Sequence, residues 1–305
     1  MNNNTVYHHP DQPVRHSYPL AIEKAGVGQA FSLLMKTLPY ALVRLGILVA
    51  VTVGTLIWIG STVGIGAWLS ARVHEWIGGA WIIGGFGIYG YLWFTIVRYF
   101  LYLLKAGHIA VLTEIITKNE IGNGGENMFA YGKNVVKSRF KEVNVLFAMD
   151  MLITGVVRAF NRTLDFIGSL LPVPGLSQVT KLVGMVVHAM TTYIDETIFS
   201  YSLARGDENP WRSGRDGLVY YAQNCKEILK TSIGIVLLEK VLTIVAFLIL
   251  FAPAFVVAAL MPGNAAFWAF VISALFAFNV NAALLHPLFL IMIMTKFHVC
   301  IQGQE

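Results

Sequence analysis

Long apolar runs separated by short polar turns dominate the chain. The first run covers about Leu45–Leu69 and the second about Ala80–Leu104, and both reach the ~20 apolar residues that a helix needs to cross a bilayer. Similar runs follow at about 143–160, 182–203, 233–260 and 266–294. The pattern predicts an all-α polytopic membrane protein with about six transmembrane helices, arranged as three hairpins. We expect a single helical membrane domain over 21–305, after a disordered polar tail over 1–20.

Short basic segments precede two of the predicted spans. Lys133, Lys137 and Lys141 recur every four residues, which places them on one face of a helix. Lys226 and Lys230 have the same spacing ahead of the fifth span. These segments predict amphipathic interfacial helices on the cytoplasmic face of the membrane.

The two basic segments also share an offset that suggests an internal repeat. The differences 226−137, 230−141 and 239−150 are all 89, and they relate two lysines and one acid in each copy. Each copy has the order span, polar turn, basic helix and span with an acid. We therefore expect a repeat of about 105–160 and 194–249.

The distribution of positive charge predicts the orientation in the membrane. Sixteen Lys and Arg residues fall in the segments on one side: Arg15, Lys24, Lys36, Arg44, Lys105, Lys118, Lys133, Lys137, Arg139, Lys141, Arg205, Arg212, Arg215, Lys226, Lys230 and Lys296. Four fall on the other side: Arg72, Arg158, Arg162 and Lys181. The richer side is expected to be cytoplasmic. This predicts a protein of the bacterial inner (plasma) membrane with both termini in the cytoplasm.

Composition and motifs exclude several classes of function. The chain is 56% hydrophobic and 13% charged, against about 25% charged for a soluble domain. Its two cysteines form no CxxC motif, so neither a disulfide framework nor a metal site is predicted. No soluble basic domain is present to bind nucleic acid. GxSxG, HExxH and Walker motifs are absent, so we predict no enzyme, no catalytic residue and no cofactor.

Polar side chains within the apolar runs are the candidates for an intramembrane site, because burying ionisable groups in lipid is costly. They are Arg98, His188, Thr192, Asp195, Glu196, Asn281 and His286. His188, Thr192 and Asp195 share one helix face, since they are spaced i, i+4 and i+7. We expect one of the two adjacent acids to pair with Arg98 and the other to face a cavity or the cytoplasmic interface. The cluster is either a structural ion pair or a cation or proton site; its use by a membrane enzyme is a third alternative.

Other polar residues of the spans have simpler explanations. His108 and Glu114 are expected at a solvated helix end. Asn279, Asn281 and His286 share part of one face, where they form either interhelical hydrogen bonds or a polar pathway. A kink is expected next to them at Pro287.

Three stretches carry a resemblance to known families: AYGKNVVKSRF (130–140), DGLVYYAQNCKEIL (216–229) and ALLHPLFLIMIMTKF (283–297). Their pattern resembles uncharacterised bacterial integral-membrane families and the transmembrane region of choline-transporter-like proteins, over about Phe129–Phe297. The resemblance implies transport of a small cation or a lipid-related solute, and it assigns no substrate residue.

Two functions follow from these patterns. The first is a non-catalytic, lipid-interacting scaffold or the accessory subunit of a membrane complex, either as a homo-oligomer or within a larger assembly. In this case the lysines contact anionic lipids, although anchoring alone would also explain them: Lys133, Lys137, Lys141, Lys226 and Lys230. The second is a small-solute or cation transporter or channel with an intramembrane His/Asp/Glu site. A cavity reaching Asp195 or Glu196 favours transport, whereas a dry, paired cluster favours the scaffold.

Overall fold

The structure, a computed structural model, describes residues 18–122, 124–139, 144, 193–206, 210–259, 265–302 and 304. Over these residues the chain forms helices and turns and contains no strand. The α-helices are α1 (Val27–Lys36), α2 (Leu38–Arg72), α3 (Glu75–Leu92), α4 (Arg98–Lys118), α5 (Met128–Ser138), α6 (Ile194–Arg205), α7 (Pro210–Gln223), α8 (Cys225–Ala259), α9 (Ala265–Val280) and α10 (His286–Ile301). Two five-residue π-helical turns, Trp93–Val97 and Asn281–Leu285, join α3 to α4 and α9 to α10.

Among the described residues, four helical stretches are long and apolar enough to cross a membrane: Leu38–Arg72, Glu75–Lys118, Lys226–Val256 and Ala266–Ile301. They coincide with the predicted first, second, fifth and sixth spans. Large apolar side chains such as Ile57, Ile83 and Ile249 are exposed on them, an arrangement that suits contact with lipid. The helices therefore fit an integral membrane protein. The third span except Asn144, and the first half of the fourth (182–192), lie outside the described residues, so six spans and three hairpins stay a prediction.

Helices α2 and α3 form an antiparallel pair in which small residues bring the two backbones together. A Cβ atom on Gly78 would overlap the main-chain oxygen of Gly66, and one on Gly85 would overlap the Thr62 side chain. Close packing of this kind replaces the hydrophobic effect inside lipid. Around the other glycines of this span there is open space within 4 Å: Gly84, Gly87 and Gly90. The glycine-rich sequence therefore gives close approach at particular positions and not along a whole face.

The remaining helices gather at one end of the spans, and we call α1, α4, α5, α6, α7 and α10 the basal bundle. In its centre, α6 contacts both α4 and α10. Each central helix is covered by one outer helix, because α5 packs on α4, α7 packs on α6 and α1 packs on α10. The first and last of the described helices thus close the basal bundle.

Helices α4 and α10 are apolar around much of their circumference, which is typical of a helix buried on all sides, whereas the buried α6 carries several polar side chains. Ile109, Leu112 and Ile116 of α4 are buried, and so are Phe289 and Phe297 of α10. Burial of each such side chain contributes about 1.5–3 kcal/mol. The basal bundle therefore contains the main packed core of the described residues.

The expectation of a solvated helix end at His108 and Glu114 is wrong. His108 is only 4% exposed and Glu114 only 9% exposed. The physical reason is that α5 covers this part of α4, and that the Tyr40 ring stacks on the His108 imidazole at a centroid distance of 5.1 Å. The His108 Nε2 atom lies 2.9 Å from the Thr37 hydroxyl, which satisfies the buried ring.

Two further features concern the ends of the predicted elements. The last residues of the predicted polar tail are packed against the protein, because Tyr18 hydrogen-bonds to His298 and Leu20 packs against the apolar core. In α10, Pro287 is the second residue after a π-helical turn. A proline lacks the main-chain donor of a regular turn, and the wider turn before it lets the helix continue.

Candidate functional site

The two adjacent acids lie in the first turn of α6 and are paired with a lysine of α4. Asp195 and Glu196 are 1% and 2% exposed. The Lys105 ammonium lies 2.6 Å from Glu196 Oε1 and 4.0 Å from Asp195 Oδ2, and its side chain is 14% exposed. The same ammonium is 4.8 Å from the centre of the Tyr102 ring. A buried ion cluster of this kind must be compensated internally, because its ions are removed from water.

The predicted pairing of one acid with Arg98 is therefore wrong. The cation that pairs with Glu196 is Lys105. The two cations are seven residues apart on α4, which is two turns and about 10 Å along the same face. The first turn of α6 contacts α4 at Lys105, the position farther along the chain. The Arg98 guanidinium lies instead 5.7 Å from the Phe94 ring.

Three more side chains surround the acid pair. Arg44 of α2 interacts electrostatically with Glu196 and Tyr193, and His286 interacts electrostatically with Glu196. The His286 ring packs on the Tyr193 ring at 4.9 Å between centroids. Two buried atoms of this cluster, Arg44 Nε and Glu196 Oε2, have no hydrogen-bond partner among the described residues. The site thus brings cations, acids and an imidazole together with some of its hydrogen-bonding capacity unused.

Polar contacts continue from this cluster between α2, α8 and α9. The Asn281 amide donates to the Thr243 hydroxyl. Farther along, the Asn279 amide donates to Thr52 Oγ1 at 2.9 Å, and the Thr52 hydroxyl lies 3.2 Å from Asn279 Oδ1. Asn279 and Asn281 thus form the interhelical hydrogen bonds that the sequence indicated as one alternative.

The structure brings together part of the predicted site. Asp195, Glu196 and His286 form the cluster, whereas Arg98 and Asn281 have other contacts. His188 and Thr192 lie outside the described residues. The sequence reading missed the two cations, Lys105 and Arg44, because both were counted as charges at the ends of spans. Their positions within continuous helical patterns could have indicated burial.

A second buried polar system crosses the centre of the basal bundle. The Tyr18 hydroxyl lies 2.8 Å from His298 Nδ1, and His298 Nε2 lies 2.8 Å from Ser200 Oγ. Ser200 Oγ in turn lies 2.7 Å from Thr113 Oγ1. Burial raises the pKa of the Tyr18 hydroxyl well above its ordinary value, so it is a neutral hydrogen-bonding group. The chain of contacts links the N-terminal segment to α10, α6 and α4.

The predicted lipid-contacting lysines are at the surface wherever the structure describes them. Lys133 and Lys137 are exposed on α5, and Lys226 and Lys230 are exposed near the start of α8. The Lys230 ammonium lies 2.8 Å from a carboxylate oxygen of Glu227. Lys141 lies outside the described residues.

No protein-family model matches the chain, and no similar protein was found among curated proteins or solved structures. The resemblance to choline-transporter-like proteins and to bacterial membrane families stays a prediction.

Proposed function

We propose that the protein is a non-catalytic integral membrane component that interacts with anionic lipids through exposed lysines of its basal bundle and of the start of α8, as a scaffold or as the accessory subunit of a membrane complex. The observation that carries the proposal is the contrast between its charges. The buried acid Glu196 is neutralised inside the protein by Lys105, whereas lysines of α5 and α8 are exposed. The ionic groups at the surface are therefore available to lipid headgroups. The orientation that fits is a cytoplasmic basal bundle at the inner membrane.

Simple electrostatics makes such an interaction measurable. Each lysine near an anionic leaflet contributes about 1 kcal/mol, and the effect falls off within a Debye length. Lys133 and Lys137 lie one helical turn apart on α5, so one lipid surface can contact both. Lys230 contributes less than an isolated lysine because Glu227 neutralises part of its charge.

Replacing Lys133, Lys137, Lys226 and Lys230 together by glutamine should remove the preference for anionic lipid. We expect the detergent-purified protein to bind short-chain phosphatidylglycerol at least about tenfold more tightly than short-chain phosphatidylcholine, and the variant to bind both equally. The measurement is a fluorescence titration at low and high salt. Arg72→Gln, which removes an exposed cation at the opposite end of α2, is the control and should keep the preference. An unchanged preference in the quadruple variant would rule the proposal out.

A second candidate function, transport of a monovalent cation or a proton, is favoured by one specific observation. Arg44 Nε and Glu196 Oε2 are buried without hydrogen-bond partners among the described residues. Buried polar atoms are nearly always satisfied, so an unused acceptor beside a cluster of charges is the kind of place that a transported ion or water occupies. The hydrogen-bonded pairs Asn281–Thr243 and Asn279–Thr52 extend polar groups from this position between the spanning helices.

Reconstitution in liposomes tests this second function. If the protein transports a cation or a proton, Glu196→Gln and Asp195→Asn should abolish ion uptake, because each removes a buried negative charge. Both variants should still insert, which flotation of the liposomes would show. Glu75→Gln changes an exposed acid at the first position of α3 and serves as the matched control. Equal uptake by the wild type and both site variants would eliminate the site.

A further inference from the structure

A cavity of about 350 Å³ lies between α4, α5 and α6 in the basal bundle. Its wall includes Thr113 and Thr117 of α4 and Tyr131 and Ser138 of α5. Its volume lies in the range of small-molecule sites, about 300–1,000 Å³. Thr113 is about 12 Å along α4 from Lys105, so the cavity is separate from the ion cluster.

The hydroxyl groups of this wall have already used their protons. Thr113, Thr117 and Ser138 each donate to a main-chain carbonyl one turn earlier in their own helix, at distances of 2.8, 2.9 and 2.9 Å. A hydroxyl has one donor and two acceptor lone pairs. These three side chains can therefore offer only lone pairs to a molecule in the cavity.

A carboxylate adds to this set of acceptors. Glu114 lines the cavity and lies 2.8 Å from the Lys118 ammonium, and its carboxylate interacts with the Tyr131 hydroxyl. An ionised carboxylate accepts about four hydrogen bonds, so two of its lone-pair positions remain for a ligand. The Lys118 side chain is 57% exposed, so solvent screens its attraction to Glu114.

The last turns of three helices also form part of the cavity wall. Its wall includes residues of the last turn of α4, of α5 and of α6, among them Lys118, Ser138 and Ala204. The last carbonyl groups of a helix carry a partial negative charge. The cations Lys118 and Arg139 complete the wall, which makes an anion the competing ligand.

We propose that this cavity binds a small organic cation with N–H donors, such as a primary alkylammonium or a guanidinium group. The donors of such a cation match the lone pairs of Thr113, Thr117 and Ser138, and its charge matches the Glu114 carboxylate. A quaternary ammonium has the same charge but no N–H group, so it leaves these acceptors unmatched. Binding here depends neither on the lipid contacts nor on the ion cluster.

Calorimetric titration of the detergent-purified full chain with three probes tests the proposal: butylammonium, butyltrimethylammonium and inorganic phosphate. We expect butylammonium to bind at least about tenfold more tightly than the quaternary probe. Equal or tighter binding of butyltrimethylammonium, binding of phosphate alone, or no binding of butylammonium would overturn the proposal.

Matched variants locate the site. Glu114→Gln should weaken butylammonium binding at least about tenfold, because a charge-assisted hydrogen bond is lost. Glu120→Gln changes an exposed acid on the following turn and should leave binding unchanged. Val135→Phe adds bulk to the cavity wall without changing a charge and should abolish butylammonium binding. This variant tests the location of the site if Glu114→Gln does not fold. Wild-type affinity in folded Glu114→Gln or Val135→Phe would place the ligand elsewhere.

Discussion

Replacing Lys105 by methionine should lower the free energy of unfolding by about 3–5 kcal/mol, the usual cost of breaking a buried ion pair by removing one partner. Methionine is of similar length and fills the same space, so the loss comes mainly from the charge. Its removal takes away the ammonium that lies 2.6 Å from Glu196 and 4.0 Å from Asp195. Two adjacent buried carboxylates would then lack this compensation. Chemical unfolding in a defined detergent measures the effect.

A double-mutant cycle separates this pair from the other contacts of Lys105. Glu196→Gln should cost less than Lys105→Met, because Asp195 remains near the ammonium. The double variant should cost less than the sum of the two single changes, since each removes the same interaction. Lys230→Met is the control: it breaks a pair with Glu227 at 2.8 Å in which both side chains are exposed, and it should cost about 0–1 kcal/mol. Equal losses for the Lys105 and Lys230 variants would show that the pair is not structural.

The positions of the described spans could be predicted because the length of an apolar run is a local property of the sequence. Leu38–Arg72 and Glu75–Lys118 contain the predicted first and second spans and extend beyond them at the basal end. The prediction was less accurate about what surrounds these extensions. A polar residue after an apolar run indicates the end of a span when lipid gives way to water. Where the span passes from lipid into packed protein, a polar residue such as the buried His108 does not indicate a solvated helix end.

The candidate site shows the same limit. Asp195, Glu196 and His286 stand out because each interrupts an apolar run, and a single interruption is visible in a sequence. The partner of Glu196 cannot be predicted from the sequence, because Lys105 is 91 residues away. Whether Glu196 pairs with Lys105 or Arg98 depends on where along α4 the first turn of α6 packs. Charge counting also assigned Lys105 and Arg44 to the membrane surface. That rule uses only the positions of the cations along the chain, so it does not distinguish an exposed cation from a buried one.

The π-helical turns differ in how visible they are. The turn at Asn281–Leu285 comes just before Pro287, so an irregularity was expected there. The turn at Trp93–Val97 contains no proline or glycine and has no comparable signal. The positions directly after the two turns are His286 and Arg98, both of which are ionisable residues of the predicted site. An extra residue in a helix rotates everything after it, so each turn sets the direction in which the following side chain points.

The order of donors in the second buried system leads to the other large effect. Thr113 donates its proton to a main-chain carbonyl, so Ser200 must donate to Thr113 in their mutual contact. His298 Nε2 then donates to Ser200, which leaves His298 Nδ1 as the acceptor for the Tyr18 hydroxyl. The four side chains form one directed chain in which each donor has a single acceptor.

Interrupting this chain should destabilise the basal bundle. Tyr18→Phe removes the donor to His298 Nδ1 and should cost about 1–3 kcal/mol, while His298→Phe removes the partner of both Tyr18 and Ser200 and should cost about 2–4 kcal/mol. Tyr91→Phe deletes the same hydroxyl from an exposed tyrosine of α3 and should be close to neutral. The free energy of unfolding measures each loss. Limited proteolysis should show faster cleavage near Tyr18 in Tyr18→Phe and in His298→Phe, because the hydrogen bond between these two side chains attaches the N-terminal segment to α10. If Tyr18→Phe proves no more destabilising than Tyr91→Phe, the hydrogen-bonded side chains do not stabilise the basal bundle. The N-terminal segment is then held by its main-chain bond to α4 and by the packing of Ile22.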